Sequence, residues 1–537
     1  MTKLQMVEPS ALVRAQSGQR TGVIQLNLAK MMCIAVVWSA AISTLAAAQT
    51  FTKSVTFTTL FTFDGGTNGG NPAGPLVQAR DGNLYGTTYD GGANTYANCP
   101  AANCGTFFKI SPGGKLTTLY NFCSQANCAD GGAPSGPLVL GADGDFYGIT
   151  EVGGTGAGCS ASGACGTAFK ITPSGVLTTL YNWCSQPSCA DGAYVLLAEP
   201  GTFVQATDGN FYGTNDAGCP AACAGTVFKL TPGGSLKALY TFCSQTSCTD
   251  GEFPTGLIQA ADGNFYGTTN TGGANGNGTV FKITPGGTLT TLYSFCSQTN
   301  CTDGALPGPL IQAADGNLYG MTEFGGTSTN QLCDGSCGTV FEIATAGGSP
   351  ATLYNFCSLI DCTDGASPAF SLVQATDGNF YGSTLGGNGG NNQYGITLFT
   401  ITPAGVLTTT HTFNTVSQTP EALFQATNGT FYGVTLEGGN YNCGPFNCGI
   451  VFSLAVGLGP FVETVPTAGR VGTKVDILGQ GLKGTTAVSF NGTAAKFVVH
   501  SNTYLTATVP SGATTGYVTV TTPKRKLKSN KEFRVIP

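Results

Sequence analysis

The chain is poor in the residues from which most active sites are assembled. Of its 537 residues, 2 are His, 2 are Trp and 5 are Met, and charged residues make up only 9%. His411 and His500 stand alone, so neither a histidine-rich zinc site nor a Ser-His-Asp order can be drawn. No phosphate-binding loop occurs. Positive charge is scarcer than negative: residues 49–457 carry 8 Lys/Arg against 24 Asp/Glu, a net −16. That balance excludes the basic footprint of a nucleic-acid binder. Long apolar runs are missing as well, apart from residues 31–45. At about 15 residues that run is short for a membrane span. It follows Lys30 and precedes Ala46-Ala47-Ala48, the small-residue pattern of signal cleavage, so residues 1–48 read as a signal peptide and no span is expected after its removal.

Glycine and cysteine are abundant, with 80 and 21 residues. High Gly without a collagen period, with much Thr, Phe and Tyr, fits a turn-rich all-β protein. Cys33 lies in the signal; the other cysteines fall into close pairs. Five pairs share the pattern CSxxxC followed by x-Asp-Gly: Cys123/Cys128, Cys184/Cys189, Cys243/Cys248, Cys296/Cys301 and Cys357/Cys362. Five are looser: Cys99/Cys104, Cys159/Cys165, Cys219/Cys223, Cys333/Cys337 and Cys443/Cys448. On an exported chain close pairs read as disulfides. Zinc would need four ligands per site and usually some His, and neither histidine is near a pair.

One phrase recurs. It reads DGNFYG at Asp262, and copies begin at Asp81, Asp143, Asp208, Asp315, Asp377 and, with Asn for Asp, at Asn428, spaced 62, 65, 54, 53, 62 and 51 residues apart in chain order. Asp-Gly between short β-prone runs is a hairpin signal. Gly267 follows the aromatic pair where a bulky side chain has no room between packed sheets. Each unit holds four β-like runs, A to D; around residue 260 they are 257–260, 264–269, 278–283 and 288–295. Four strands per unit predict a seven-bladed β-propeller over residues 49–457. The last unit lacks strand D, and residues 54–63 (SVTFTTLFTF) match it, so the ring is expected to close by pairing 54–63 with 449–454. Strand alternation puts the short ADGN and TPGG turns on one face. The long, cysteine-bearing B–C and D–A connections lie on the other.

Residues 458–537 lack both the cysteines and the phrase and carry 10 Lys/Arg against 3 Asp/Glu, a net +7. Pro466-Thr-Ala-Gly469, Val471-Gly472, Val475-Asp-Ile-Leu-Gly-Gln-Gly481, Val488-Ser-Phe-Asn-Gly492, Leu505-Thr-Ala-Thr-Val-Pro510 and Thr515-Gly516 before Val518-Thr-Val520 make this stretch resemble the IPT/TIG family of immunoglobulin-like domains. Through the DGNxYG and GTVFKITPGG phrases, residues 54–455 resemble the GloVer-type tandem repeats of bacterial choice-of-anchor surface proteins. The resemblances imply a β-sandwich after the ring and a place at the cell surface; neither supplies catalytic residues.

The candidate sites lie on the long-loop face. Asp130, Asp191, Asp250, Asp303 and Asp364 follow the CSxxxC pairs and could bind Ca²⁺ or a ligand, or serve as turn residues bonding their own backbone. No other cofactor or metal is expected. Gln78, Gln205, Gln259, Gln312, Gln374 and Gln425 recur on strand A, to line a channel or to link blades. In a repeat protein a catalytic residue should be singular. Glu199, Glu252 and Glu421 are singular acids, and Glu151, Glu323 and Glu437 end strand B in three units; nothing pairs any two as a glycosidase would need. Glu252 joins the five aspartates as a candidate binding residue, and no catalytic residue is assigned. The expected function is an exported, monomeric, non-enzymatic binding protein taking a glycan or protein at the cell surface. A carbohydrate-active hydrolase or lyase is the rival, and a structural envelope protein the third reading.

Overall fold

The computed structural model describes residues 54–99, 103–156, 165–189, 191, 203–215, 224–328, 337–368, 370–386, 396–413, 418–421, 423–439 and 448–537. The expected signal peptide, Glu199, and Cys159, Cys219, Cys223, Cys333 and Cys443 lie outside them. Regular structure is β throughout, apart from three-residue 3₁₀ turns such as Ala126–Cys128. No described helix is long and apolar enough to cross a membrane.

Unit 4 shows how the repeat folds. Its strands Glu252–Gln259, Phe265–Thr271, Thr279–Ile283 and Leu289–Ser294 form one antiparallel sheet in chain order. Asp262-Gly263 makes the first hairpin, with Gly263 at φ 86°, a conformation cheap only for glycine. On strand B, a Cβ on Gly267 would stand 2.6 Å from Phe281 Cζ on strand C. The phenylalanine ring therefore lies over the glycine, and Phe281 is wholly buried. The same Gly–Phe pair recurs in the other units, from Gly86 beneath Phe108 to Gly433 beneath Phe452. Each such ring contributes roughly 1.5–3 kcal/mol by leaving water.

Strand D always carries one extra residue. Val280 pairs with Tyr293 but Phe281 with Thr291, so Leu292 bulges. Thr56–Thr62 pairs with Ile450–Ala455 in the same way: Val451 faces Phe61, Phe452 faces Thr59, and Leu60 bulges. The N-terminal strand thus has the register of a strand D and completes the sheet of Phe424–Gln425, Phe431–Thr435 and Ile450–Ala455.

Seven such sheets follow one another, and three sets of contacts join neighbours. At the turn end, the amides of Ala142, Thr207, Ala261, Ala314, Thr376 and Thr427 donate at 2.8–3.2 Å to Oε1 of Gln205, Gln259, Gln312, Gln374, Gln425 and Gln78. The glutamines link sheets, the plainer of their two expected roles, and Thr427 to Gln78 joins the last sheet to the first. Unit 2 has Leu140 in place of glutamine; there Arg80 spans the gap, donating to the carbonyls of Asp143 and Ala142 at 3.1 and 3.2 Å. At the loop end, Asn71, Ala133, Phe253, Leu306 and Ser367 all take φ of 50–53°. Their amides reach the carbonyls of Cys448, Cys104, Ala224, Asn277 and Cys337 in the preceding unit at 2.7–3.0 Å. On the outside, the last glycine of each C–D turn abuts the previous unit's bulge: a Cβ on Gly287 would meet the Leu239 carbonyl at 2.7 Å, and one on Gly114 the Leu60 carbonyl at 2.7 Å.

After the last sheet, two further sheets share one core. Glu463–Val465, Lys474–Leu478, Tyr504–Thr508 and Phe497–Val499 form one; Ala468–Arg470, Lys526–Ile536, Gly516–Thr521, Ala487–Phe490 and Thr493–Ala494 form the other. Val475, Ile477, Leu505, Val518, Val520 and Phe533 pack between them.

Candidate functional site

The D–A loops are built around their aspartates. In the CSxxxC loops of units 1, 3, 4 and 5 both cysteines take φ near 50–58°, as does the residue before the second one, for example Asn300 at 58°. Left-handed backbone is costly for a side-chain-bearing residue, on the order of 1 kcal/mol each. Two features hold it. A disulfide closes each loop at Cys123–Cys128, Cys184–Cys189, Cys243–Cys248, Cys296–Cys301 and Cys357–Cys362. The aspartate then gathers the loop's donors. Asp303 accepts from Tyr293 Oη at 2.6 Å, Ser297 N at 2.9 Å, Ser297 Oγ at 3.1 Å and Gln298 N at 3.2 Å. Asp130, Asp250 and Asp364 repeat the arrangement; Asp191 accepts from Tyr181 Oη and the Ser185 and Gln186 amides, while Ser185 Oγ donates to the Asn182 carbonyl.

Of the two roles expected of these carboxylates, a ligand site or a turn bonding its own backbone, this geometry is that of the turn. All five are at most 1% exposed, and their oxygens are taken by donors of their own loops. Asp64, in the D–A connection that has no cysteines, is exposed and caps Gly66 N at 2.9 Å.

Bridges of the looser class also occur. Cys99–Cys104 is closed, and Cys165, Cys337 and Cys448 are disulfide-bonded. The sulfurs of Cys99, Cys104, Cys123 and Cys128 lie within 4.8 Å of one another. Four cysteines so close invite zinc, yet the pair is the repeating unit: unit 4 keeps Cys296/Cys301 with no B–C cysteines, and unit 7 has Cys443/Cys448 with none in its D–A connection. Two neighbouring bridges account for both cases.

Glu252 is the predicted site residue that stays accessible. It opens strand A of unit 4, half-buried, and its Oε2 accepts from Thr271 Oγ1 at 3.2 Å. Beside it Phe253 is 45% exposed, the one exposed phenylalanine among the described residues. Its counterparts are Asn71, Ala133, Leu306 and Ser367, none of them exposed. Sequence reasoning missed Phe253 because repeat aromatics read as core; the signal was an aromatic where other units have Asn, Ala, Leu or Ser. The connection from Gly272 to Gly278 beside it has no cysteines and is rich in Gly and Asn.

The other acids sit apart. Glu151 accepts from Tyr89 Oη at 2.8 Å. Burial pushes the carboxyls of Glu323 and Glu437 up. Glu421 is nearly closed off at 7% exposure; burial pushes its carboxyl up to about 7, against the bond it accepts from Gly74 N.

The turn face has a different chemistry. Asp262 accepts from Asn264 N, Tyr266 Oη and Lys282 Nζ at 3.0, 2.9 and 3.2 Å. Burial alone would raise the carboxyls of Asp208 and Asp262, but these donors hold both at about 2. The C-terminal sheets rest on this face, within one unit spanning Ser54–Pro537. Arg80, the only arginine in residues 49–457, donates from Nε to Asp476 Oδ2 at 2.6 Å. Its guanidinium lies 5.2 Å from the Tyr504 ring, and Thr503 Oγ1 donates to its carbonyl at 2.8 Å. Arg534 Nη1 reaches the Ala261 carbonyl at 2.7 Å, and Phe461 N reaches the Thr427 carbonyl at 3.0 Å. The sandwich thus holds turns of units 1, 4 and 7.

The model for the Gloeobacter/Verrucomicrobia repeat matches residues 46–203 and 199–447. The chain belongs to this repeat family. Its C-terminal part, residues 461–534, matches the IPT/TIG domain. No curated protein matches. Solved structures with some likeness include a fungal alcohol oxidase of the AA5 family in complex with copper (12% identity, 90% of this chain and 100% of that one, TM-score 0.47). Others are the PQQ-bound aldose sugar dehydrogenase of Streptomyces coelicolor (12%, 75% and 99%, 0.36) and the calcium-binding protein regucalcin of Agrobacterium tumefaciens (12%, 66% and 95%, 0.36). Scores this low carry nothing about function.

Proposed function

We propose that this repeat protein is an exported surface protein that binds glycan without turning it over, at Glu252 and Phe253 on the long-loop face. In this reading the seven sheets are the blades of a β-propeller closed by strand Thr56–Thr62, and the C-terminal domain is an immunoglobulin-like sandwich. The carrying observation is the exposed Phe253 beside the accessible carboxylate of Glu252. A sugar ring stacks on an aromatic face while a carboxylate accepts from its hydroxyls, the mix of apolar wall and few polar groups that small-ligand sites use. The disulfides fit an oxidising compartment outside the cytoplasm, and the repeat and IPT/TIG modules fit a surface protein. The sandwich covers turns on the opposite face, which leaves the loops for a partner.

A glycan array run with a polysaccharide-degradation screen tests the reading. Phe253→Ala is expected to lower affinity for the best-bound glycan at least tenfold, about 1.4 kcal/mol, with Glu252→Gln weaker in effect. Undiminished binding by both variants would overturn the site. The rival hydrolase reading would need an acid held near neutrality, and burial raises the carboxyl of Glu421, which is 7% exposed and bonded to Gly74 N, to about 7. Turnover of any polysaccharide that is lost in Glu421→Gln would replace binding with catalysis.

A further inference from the structure

Four lysines of the ring and the basic hairpin of the sandwich are used differently. Lys109, Lys170, Lys229 and Lys282 each pair with the aspartate of their own unit's turn, at 2.8–3.9 Å. In the sandwich, Lys524, Arg525, Lys526 and Lys528 are all exposed, and none of them forms an ion pair among the described residues. They belong to the hairpin between strands Gly516–Thr521 and Lys526–Ile536.

The hairpin is rigid. Thr522 N donates to the Arg525 carbonyl at 2.9 Å, Thr522 Oγ1 donates to the same carbonyl at 3.0 Å, and Arg525 N returns a bond to Thr522 Oγ1 at 3.2 Å. Pro523 presets the turn. Lys526 and Lys528 flank the buried Leu527 and so share the outer face, roughly 7 Å apart along the strand. The same face carries Thr521 and Thr519, register partners of Lys526 and Lys528. Lys528 Nζ lies 3.4 Å from the centre of the Tyr517 ring, so Lys526 and Lys528 form a row beside hydroxyls with Lys524 and Arg525 in the turn beyond it, and this order lowers the entropy cost of binding.

We infer that this hairpin binds a linear anionic glycan, the cations meeting its acid groups and the threonines its hydroxyls. The row is one strand wide, so a flexible single chain can follow it. A duplex or a membrane presents a broad anionic surface, which the net −16 of residues 49–457 disfavours more than it does a single thin chain, since charges act over roughly 8 Å at physiological salt. The hairpin also shows no exposed aromatic to insert into lipid. This site is independent of Glu252 and Phe253.

The test uses the full exported chain with polygalacturonate, duplex DNA, phosphatidylserine vesicles and neutral dextran as probes. Polygalacturonate should bind at about 50 mM salt and lose affinity by a factor on the order of 10–100 near 0.5 M. The combined variant Lys524→Gln, Arg525→Gln, Lys526→Gln and Lys528→Gln should lose at least tenfold. A second variant with Lys115, Lys237, Lys474 and Lys496 changed to Gln removes the same charge elsewhere and should bind like the wild type. The inference falls if the hairpin variant binds unchanged, if the second variant loses as much, or if DNA, vesicles or dextran bind better than polygalacturonate.

Discussion

At the scale of single residues, recurrence marks what every sheet needs, whereas a residue that occurs once serves one place, as Arg80 does in spanning the unit 2 gap. Gly267, Phe281 and Gln259 recur because every sheet needs them: the glycine admits the phenylalanine ring and the glutamine bridges to the next unit. Arg80, Phe253 and Glu421 each occur once. Glu421 carries a pH prediction. Its folded carboxyl is raised to about 7, whereas unfolded it ionises near the usual carboxylate value of about 4.3. The folded state therefore holds the proton longer, and stability falls as pH rises between these values. Glu421→Gln still accepts from Gly74 N and cannot ionise. It is expected to flatten that decline and to stabilise the chain at pH 8 by about 1–3 kcal/mol, with little change at pH 4, as read by denaturant unfolding at both pH values. Equal effects at the two would mean that the carboxyl titrates normally.

At the scale of elements, the D–A loop is a unit with its own logic. Its left-handed residues are held by a bridge and by an aspartate with four donors. The bridge closes a short loop, so its contribution is at the low end of the disulfide range, about 1–3 kcal/mol. Removing the buried carboxylate strands two backbone amides and two hydroxyls, at about 2–4 kcal/mol. Asp303→Ala should therefore destabilise more than the double change Cys296→Ser and Cys301→Ser, and hydrogen exchange at Ser297 and Gln298 should speed up. The carboxylates need no cation for this, so EDTA should leave the melting temperature unchanged; a drop of several degrees would identify bound calcium. Much of this element was legible in sequence, since Asp-Gly after each CSxxxC pair marks a turn. Its burial was not, because Tyr293 lies ten residues away on strand D and only the folded loop brings its hydroxyl to Asp303. Phe253 was hidden for the opposite reason: aromatics in repeats are nearly always core, and only the packing around strand A shows this one left outside. Arg80 was not legible, because its role depends on the absence of glutamine in unit 2 and on the folded turns it spans.

At the scale of the whole molecule, the repeat phrase and the β-like run at 54–63 were enough to predict seven sheets and their closure, because period and turn chemistry are written locally. The docking of the sandwich was legible only as opposite charge. The contacts themselves use Arg80, Arg534 and backbone groups rather than the basic hairpin, which remains exposed. Both faces depend on closure, since an open array would leave strand Ile450–Ala455 as an exposed edge. Strand Thr56–Thr62 supplies that edge's partner. Its Phe57 stacks on His411 at 3.9 Å and on Phe452 at 5.0 Å, and Leu60 and Phe61 pack against the core shared by the first and last units. Loss of these side chains should cost on the order of 3–6 kcal/mol. Calorimetry of a chain beginning at Asp64 beside one beginning at Ser54 tests the closed ring most directly. The account predicts that the shorter chain melts several degrees lower and self-associates through its free edge. A shorter chain that melts as one transition at the same temperature, and stays monomeric, would contradict it.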